Sequence, residues 1–423
     1  MTSETTCETN FTPQPSKAKW TKRDYVNVLL AMLIKFGDGV EIYLPGVIVQ
    51  TVSCELGVSF FQEGILAVVF YLVQSVAQMS AVPLAKRFGD KFTLLFSLYS
   101  SIIFTVVCAL VPNYYTLLLA RALIGLGCGL NSSTVGVFGA KNVSSKEILP
   151  TFSFLHGSIA FTLGGGWASL MGWLLLESIG WRVFVLLTSI PWFIPPIIIL
   201  HCCILDENST SESTNLLKEK AEIETELDEN FTEKVIKGSF FMGLCSWVGH
   251  GSIMLLPSLI RGHNLENDSL NFGKCAKVVH GDQFLILAAV TGLASFVGRP
   301  IGFIIRQHVR FWALQSVLMI CGVISSGIIL TKPGLLVESV MMGLIKFINS
   351  VQMMEVIILN FDADYFGHPG LALGSAIMQV TASFGCVISS ALAVFTNPYH
   401  AVLAVLVVNL AQIIVICSMK ERR

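Results

Sequence analysis

Two carboxylates three residues apart, Asp38 and Glu41, interrupt the otherwise apolar run LLAMLIKFGDGVEIYLPG and share one face of a helix. Close carboxylates do not both ionise cheaply, so such a pair suits proton uptake and release or the binding of a cation. Three further apolar runs carry isolated polar groups. Arg121 lies in LLLARALIGLGCGLNSS, His250 beside Trp247 in FMGLCSWVGHGSIMLL, and Lys346 with Asn349 and Ser350 in MMGLIKFINSV. A charge at mid-bilayer costs about 2.5–3.5 kcal/mol on insertion scales, so each needs water, a counter-ion or a ligand. The functional expectation makes Asp38 and Glu41 the proton- or cation-coupling pair. Lys346 and Arg121 then bind an anionic group or neutralise the acids, while His250, Trp247 and Asn349 shape the pocket. The structural alternative is packing for Asp38, Glu41 and His250, and snorkelling to the nearer interface for Arg121. Glu63, Arg299 and Glu355 fall near the ends of their runs, an interfacial placement, and Gln379, Asn409 and Gln412 read as glue between helices.

The elements that hold these groups follow from composition. Of 423 residues, 53% are hydrophobic and 13% charged, with mean hydropathy +0.71. Soluble domains carry about 25% charged residues. Apolar blocks near 26–50, 61–84, 92–111, 115–138, 151–176, 183–204, 238–260, 283–305, 312–330, 335–358, 371–396 and 399–418 are long enough to cross a ~30 Å hydrocarbon core. The expected fold is an all-α polytopic membrane protein of twelve transmembrane helices in two six-helix halves. Residues 1–25 form an N-terminal tail, 26–204 the first half, 205–237 an acidic linker, 238–418 the second half and 419–423 a short tail. With the N-terminus cytosolic, 18 lysines and arginines fall on the cytosolic side and 5 opposite, which places both termini in the cytosol.

That topology puts the sequon at Asn267 in an extracytosolic loop, available for glycosylation, and leaves Asn10, Asn142, Asn208 and Asn230 in the cytosol and Asn131 within a span. Cys54 and Cys275 share the extracytosolic side, where a disulfide is permitted. The eleven cysteines contain no CxxC pair. No nucleophile–base pair, phosphate loop or metal-ligand spacing stands out, so neither an enzyme, a cofactor nor a metal is expected. No basic stripe suggests nucleic acid. The polar spans 1, 4, 7 and 10 recur every third helix, whereas spans 3, 6, 9 and 12 have uncharged interiors. Three-plus-three inverted repeats place equivalent helices in equivalent environments, so the first group is expected to line a central cavity and the second to face lipid.

Together these features resemble the major facilitator superfamily, and within it the branch of synaptic-vesicle-two-related proteins and organic ion transporters. GDGVEIYLPGVIVQTVSCELGVS is similar to that branch's D-x-x-E helix and Cys-Glu loop. Arg121, Gly125, Gly127 and Gly129 resemble its fourth-span signature, and Gly180, Trp181 and Arg182 its entry to span 6. The loop between spans 2 and 3 departs from the superfamily's G-x-x-x-D-R-x-G-R-K pattern. VPLAKRFGDK keeps Arg87, Gly89 and Lys91 as the gating-loop residues but has Val82, Lys86 and Asp90 at other pattern positions. The resemblance implies two halves rocking about a midplane site. The resulting expectation is a secondary active transporter of a small organic solute, proton-coupled and monomeric, in a plasma or intracellular vesicle membrane. The alternative is a transporter-shaped vesicle or surface protein that binds or traffics partners without moving solute, which the altered loop motifs favour and the costly midplane charges oppose.

Overall fold

The computed structural model describes residues 20–144, 148–203, 231–267, 288–305, 311–360, 371–395 and 398–420, and among them every element is helical. In order these are α1 (Lys22–Leu56), α2 (Phe60–Phe88), α3 (Asp90–Leu110), α4 (Tyr114–Asn142), the short α5 (Leu149–Ser153), α6 (Phe161–Cys202), α7 (Phe231–Asn267), α8 (Ala294–Ile305), α9 (Phe311–Leu330), α10 (Leu335–Asn360), α11 (Leu371–Phe395) and α12 (Pro398–Lys420). Wide π-type segments, Phe154–Ala160 and Ala288–Leu293, lead into α6 and α8.

Local chemistry explains the starts. Thr21 and Asp24 form a capping box at α1, and Ser59 with Gln62 forms another at α2. Asp24 also accepts from the Ser144 amide at 2.8 Å and the Ser144 hydroxyl at 2.7 Å, tying the start of α1 to the chain just after α4. Burial alone would raise the Asp24 carboxyl. The hydrogen bonds from Thr21 and Ser144 outweigh it and hold the group well below the usual carboxylate range. The stability this contributes is present above the unfolded carboxylate range and fades only in acid.

Six stretches of the described residues are long and apolar enough to cross a membrane, and three shorter apolar helices accompany them. One stretch, Leu149–Cys202, has 54 residues. At ~1.5 Å per residue it would run about 81 Å, more than twice a ~30 Å core. Gly180 breaks it with φ 73° and ψ 158°, a backbone that glycine adopts without strain, and divides it into two helical lengths at the position the sequence marks as the entry to span 6. At this turn Trp181 Nε1 donates to Glu55 at 2.5 Å, and Arg182 pairs with Glu55 and donates to the Val111 carbonyl at 3.0 Å. The Cys-Glu loop and the Gly-Trp-Arg turn therefore meet.

Exposed apolar side chains run along three of the helices expected to face lipid. Phe92, Phe96, Tyr99, Ile103 and Val107 stripe α3, and Val317, Ile320, Ile324 and Ile328 stripe α9. Leu403, Val407, Leu410 and Ile414 do the same on α12. In α4 the glycine signature is spatial. A Cβ at Gly125 would meet the Phe70 carbonyl oxygen of α2 at 2.5 Å, and one at Gly129 the Gln74 carbonyl at 2.5 Å. Gly125→Val should therefore force the helices apart and cost roughly 1–3 kcal/mol or more. A lowered apparent melting temperature in detergent checks this, with Gly46→Ala as control, because nothing lies within 4 Å of a Cβ there.

Three buried clusters fill α1–α6, one of them reaching Cys386 of α11, and a fourth fills α7–α12. The sets join where α2 lies along α11, with Ser383 donating to Gln78 at 2.9 Å, and where α6 approaches the segment before α8 at Gly166 and Gly292.

Candidate functional site in the cleft between the helix sets

Between α1–α6 and α7–α12 lies a cleft of about 150 Å³. Its polar wall comprises Lys35, Gln74, Gln78, Ser132, His156, Ser246, His250, Arg299, Gln379 and Ser383. Apolar surface comes from Ile42, Tyr71, Phe161, Met242, Met353 and Ile357. Toward the C-terminal end of α1 the cleft is shut by a buried cluster that joins Tyr43 and Tyr71 to Cys386 of α11 and continues through Val47, Ile48 and Val52.

The two acids of α1 do not form a shared dyad. One helical turn separates them along α1, and each has its own cation. Asp38, fully buried, meets Lys35 at 3.5 Å and accepts from Asn131 and Ser132 of α4 at 3.3 Å each. Lys35 also donates to Ser132 at 2.8 Å. Lys35 and Ser132 both line the cleft, so Asp38 lies one side chain behind its wall. Glu41 pairs with Arg121 at 3.0 Å and accepts from Thr105 of α3 at 2.8 Å. Arg121 donates again to the Glu41 carbonyl at 3.0 Å and lies 4.8 Å above the Phe70 ring. With 2% exposure Arg121 does not snorkel. It forms a buried ion pair with Glu41.

The C-terminal set differs. Lys346 donates to the Gly249 carbonyl at 2.7 Å, and Asn349 to the Cys245 carbonyl at 2.7 Å. Both grip the backbone of α7, at the residue before His250 and one turn earlier, rather than entering the wall. Trp247 is half-buried against the C-terminal cluster. Of the expected site residues only His250 faces the cleft, its ring edge-on to Tyr71 with centroids 5.7 Å apart. Its Nδ1–H donates to the Ser246 carbonyl at 3.3 Å, which leaves Nε2 as the acceptor of the neutral ring. His156 does the same to the Phe152 carbonyl at 2.7 Å.

Arg299 corrects an expectation. It is not interfacial but 6% exposed, lining the cleft, and one terminal nitrogen donates across the helix sets to the Gly157 carbonyl at 3.2 Å and the Ser158 carbonyl at 2.5 Å. Those carbonyls belong to the π segment Phe154–Ala160, where the wide turn leaves them turned outward to accept. Gln379 is glue as expected, accepting from Ser133 at 3.3 Å, but it bonds between the two sets and within the cleft wall. Lys35 was overlooked although it stands three residues before Asp38 on the same face. Asn131, whose sequon carried no meaning at its depth, is a partner of Asp38.

At the loop between α2 and α3, Gly89 turns the chain with φ 86°, and Arg87 lies 5.2 Å above the Phe88 ring. Asp90, where the superfamily pattern has arginine, is buried and pairs with Lys141 of α4 at 2.7 Å. Lys91 opens α3 beside it. Asn267 is the last residue of α7. Glu355 lies within α10, while Cys275 lies outside the described residues.

A cleft thus lies between two helix sets, with buried charge on the first helix and the fourth. The profile of the Major Facilitator Superfamily matches residues 31–390. The chain belongs to the Major Facilitator Superfamily. It is therefore a multi-pass membrane protein of a family of solute transporters rather than of enzymes. Curated relatives include "Putative transporter svop-1" of Caenorhabditis elegans, 25% identical over 167 residues, which are 38% of this chain and 31% of that one. Synaptic vesicle glycoprotein 2A of Homo sapiens is 27% identical over 172 residues, 38% of this chain and 23% of that protein. Synaptic vesicle glycoprotein 2C of Rattus norvegicus is 27% identical over 167 residues, 36% and 23% respectively. The matches span less than a third of these relatives' lengths, in keeping with a synaptic-vesicle-two-related branch of the superfamily.

Proposed function

We propose that the protein is a secondary active transporter that moves a small organic solute through the cleft by alternating access, coupled to protons. The observation that carries this reading is the placement of Asp38 directly behind Lys35 and Ser132, both of which line the cleft. A carboxylate so placed can be reached by a proton when water fills the cleft and is sheltered when the sets close. Glu41, held by Arg121 and Thr105 away from that wall, serves the architecture of α1, α3 and α4 more than the coupling step. Lys346 and Asn349 position His250 through the α7 backbone. The same reading takes twelve crossings in two halves, both termini in the cytosol, a glycan on Asn267, a monomer, and residence in an intracellular vesicle or plasma membrane. Arg87, Gly89 and Lys91 then belong to the cytosolic loop that rearranges when the halves rock, with the Asp90–Lys141 pair supplying the charge contact of that loop.

Alternation is testable at the closed side. A Cβ at Gly292 would meet the Gly166 Cα at 3.4 Å, and one at Gly166 the Gly292 Cα at 3.9 Å, within reach of a disulfide. Oxidation of a Gly166→Cys/Gly292→Cys double variant in proteoliposomes should reduce solute uptake to that of empty vesicles, and reduction should restore it. Full uptake by the cross-linked protein would contradict rocking about this cleft. Specific solute binding without exchange would instead favour a non-transporting binding protein.

A further inference from the structure

The buried charges of the two helix sets do not balance alike. In the N-terminal set each cation has an acid: Lys35 has Asp38 and Arg121 has Glu41. In the C-terminal set Arg299 and Lys346, 6% and 4% exposed, donate to backbone carbonyls, and Arg299 also lies 5.8 Å from the Phe161 ring centroid. No carboxylate pairs with either among the described residues. Arg299 Nε, buried in the cleft region, has no hydrogen-bond partner. The lining itself includes Lys35, Arg299 and two histidines but no aspartate or glutamate among the described residues. The acids that would attract a cation are screened, Asp38 by Lys35 and Ser132, Glu41 by Arg121.

A buried guanidinium without a counter-charge is costly to keep, and a carboxylate matches its fork of donors. The same wall supplies Phe161, whose ring lies 5.8 Å from the Arg299 guanidinium, with Met242, Met353 and Ile357, surface for an apolar body. We propose that the cleft binds an organic monocarboxylate, its carboxylate on the Arg299 guanidinium and its apolar body against these side chains. This inference rests on the reading of the cleft as the solute site and names the class of solute. Carbonyl contacts to Gly157 and Ser158 occupy one terminal nitrogen only, so Nε and the other terminal nitrogen remain to face the anion.

The test uses purified full-length protein in nanodiscs and three probes of similar shape and different charge: phenylacetate, phenylacetamide and 2-phenylethylamine. Equilibrium binding should rank the carboxylate first, with the amide weaker by about tenfold or more and the amine weakest. In Arg299→Gln the carboxylate should fall to the level of the amide, while amide binding stays unchanged. Preference for the amine, equal binding of all three, or retained carboxylate preference in Arg299→Gln would overturn the assignment. So would binding of none of them below about 10 mM. The wild-type ranking decides the matter even if the variant does not fold. Because binding is read apart from transport, a carboxylate bound but never translocated would support the charge assignment while refuting the carrier reading.

Discussion

Arg121→Met is expected to destabilise the protein by about 3–5 kcal/mol, the cost of leaving a buried charge without its partner. Glu41 is fully buried, and Arg121 supplies both its ion pair and the donor to its backbone carbonyl. Glu41→Gln removes the charge but keeps an oxygen for the Thr105 hydroxyl, which stands 2.8 Å away. The double variant Glu41→Gln/Arg121→Met should therefore recover much of the loss, a coupling read from apparent melting temperatures in one detergent as a double-mutant cycle. Additive losses would mean that the pair is not a unit.

Asp38→Asn is expected to act on coupling rather than on folding. Asparagine can keep contacts with Asn131 and Ser132 but carries no group that can take up and release a proton at that position. With a solute identified from an uptake panel, accumulation driven by a proton gradient should fall to the level of empty vesicles. Counterflow exchange, which needs no net proton movement, should persist. An unchanged response to the gradient in Asp38→Asn would make the acid structural. Glu41→Gln provides the contrast, since Glu41 lies away from the cleft and its loss should register mainly in stability.

These two expectations separate residues that the sequence presents as one pair. Spacing of three residues says that Asp38 and Glu41 share a helical face, but it is silent on which neighbours that face meets. The neighbours come from α4 and α3, 64 to 94 positions away in sequence. Long-range pairing of this kind has no local signal. The intramembrane position of Arg121 was legible because charge in an apolar run is costly, whereas its partner was not. Arg299 shows the opposite failure. Near the end of its run it reads as interfacial, yet the π segment on another helix offers two carbonyls that draw it inside. Lys35 had a local signal, an i, i+3 relation to Asp38, that was available and unused.

Composition and the positions of glycine carried further. The stripes of exposed apolar side chains on α3, α9 and α12 follow from their uncharged interiors. Gly180 marks the break between two helical lengths, and Gly125 and Gly129 mark where α4 touches α2. Lys346 and Asn349 were legible as buried polar groups, but their target is the α7 backbone, which no side-chain pattern announces.

Proton-coupled alternating access requires water to reach Asp38 through the cleft from alternate sides. Ser132 hydrogen-bonds that carboxylate and lines the cleft, so Ser132→Cys reports on the path. The measurement is its labelling by a membrane-impermeant thiol reagent applied to each side in turn, in a background lacking the exposed Cys54, Cys202 and Cys203. Reaction from both sides, with a disulfide between positions 166 and 292 abolishing it from one side alone, is the predicted result. Protection from both sides, with and without that disulfide, would contradict the account.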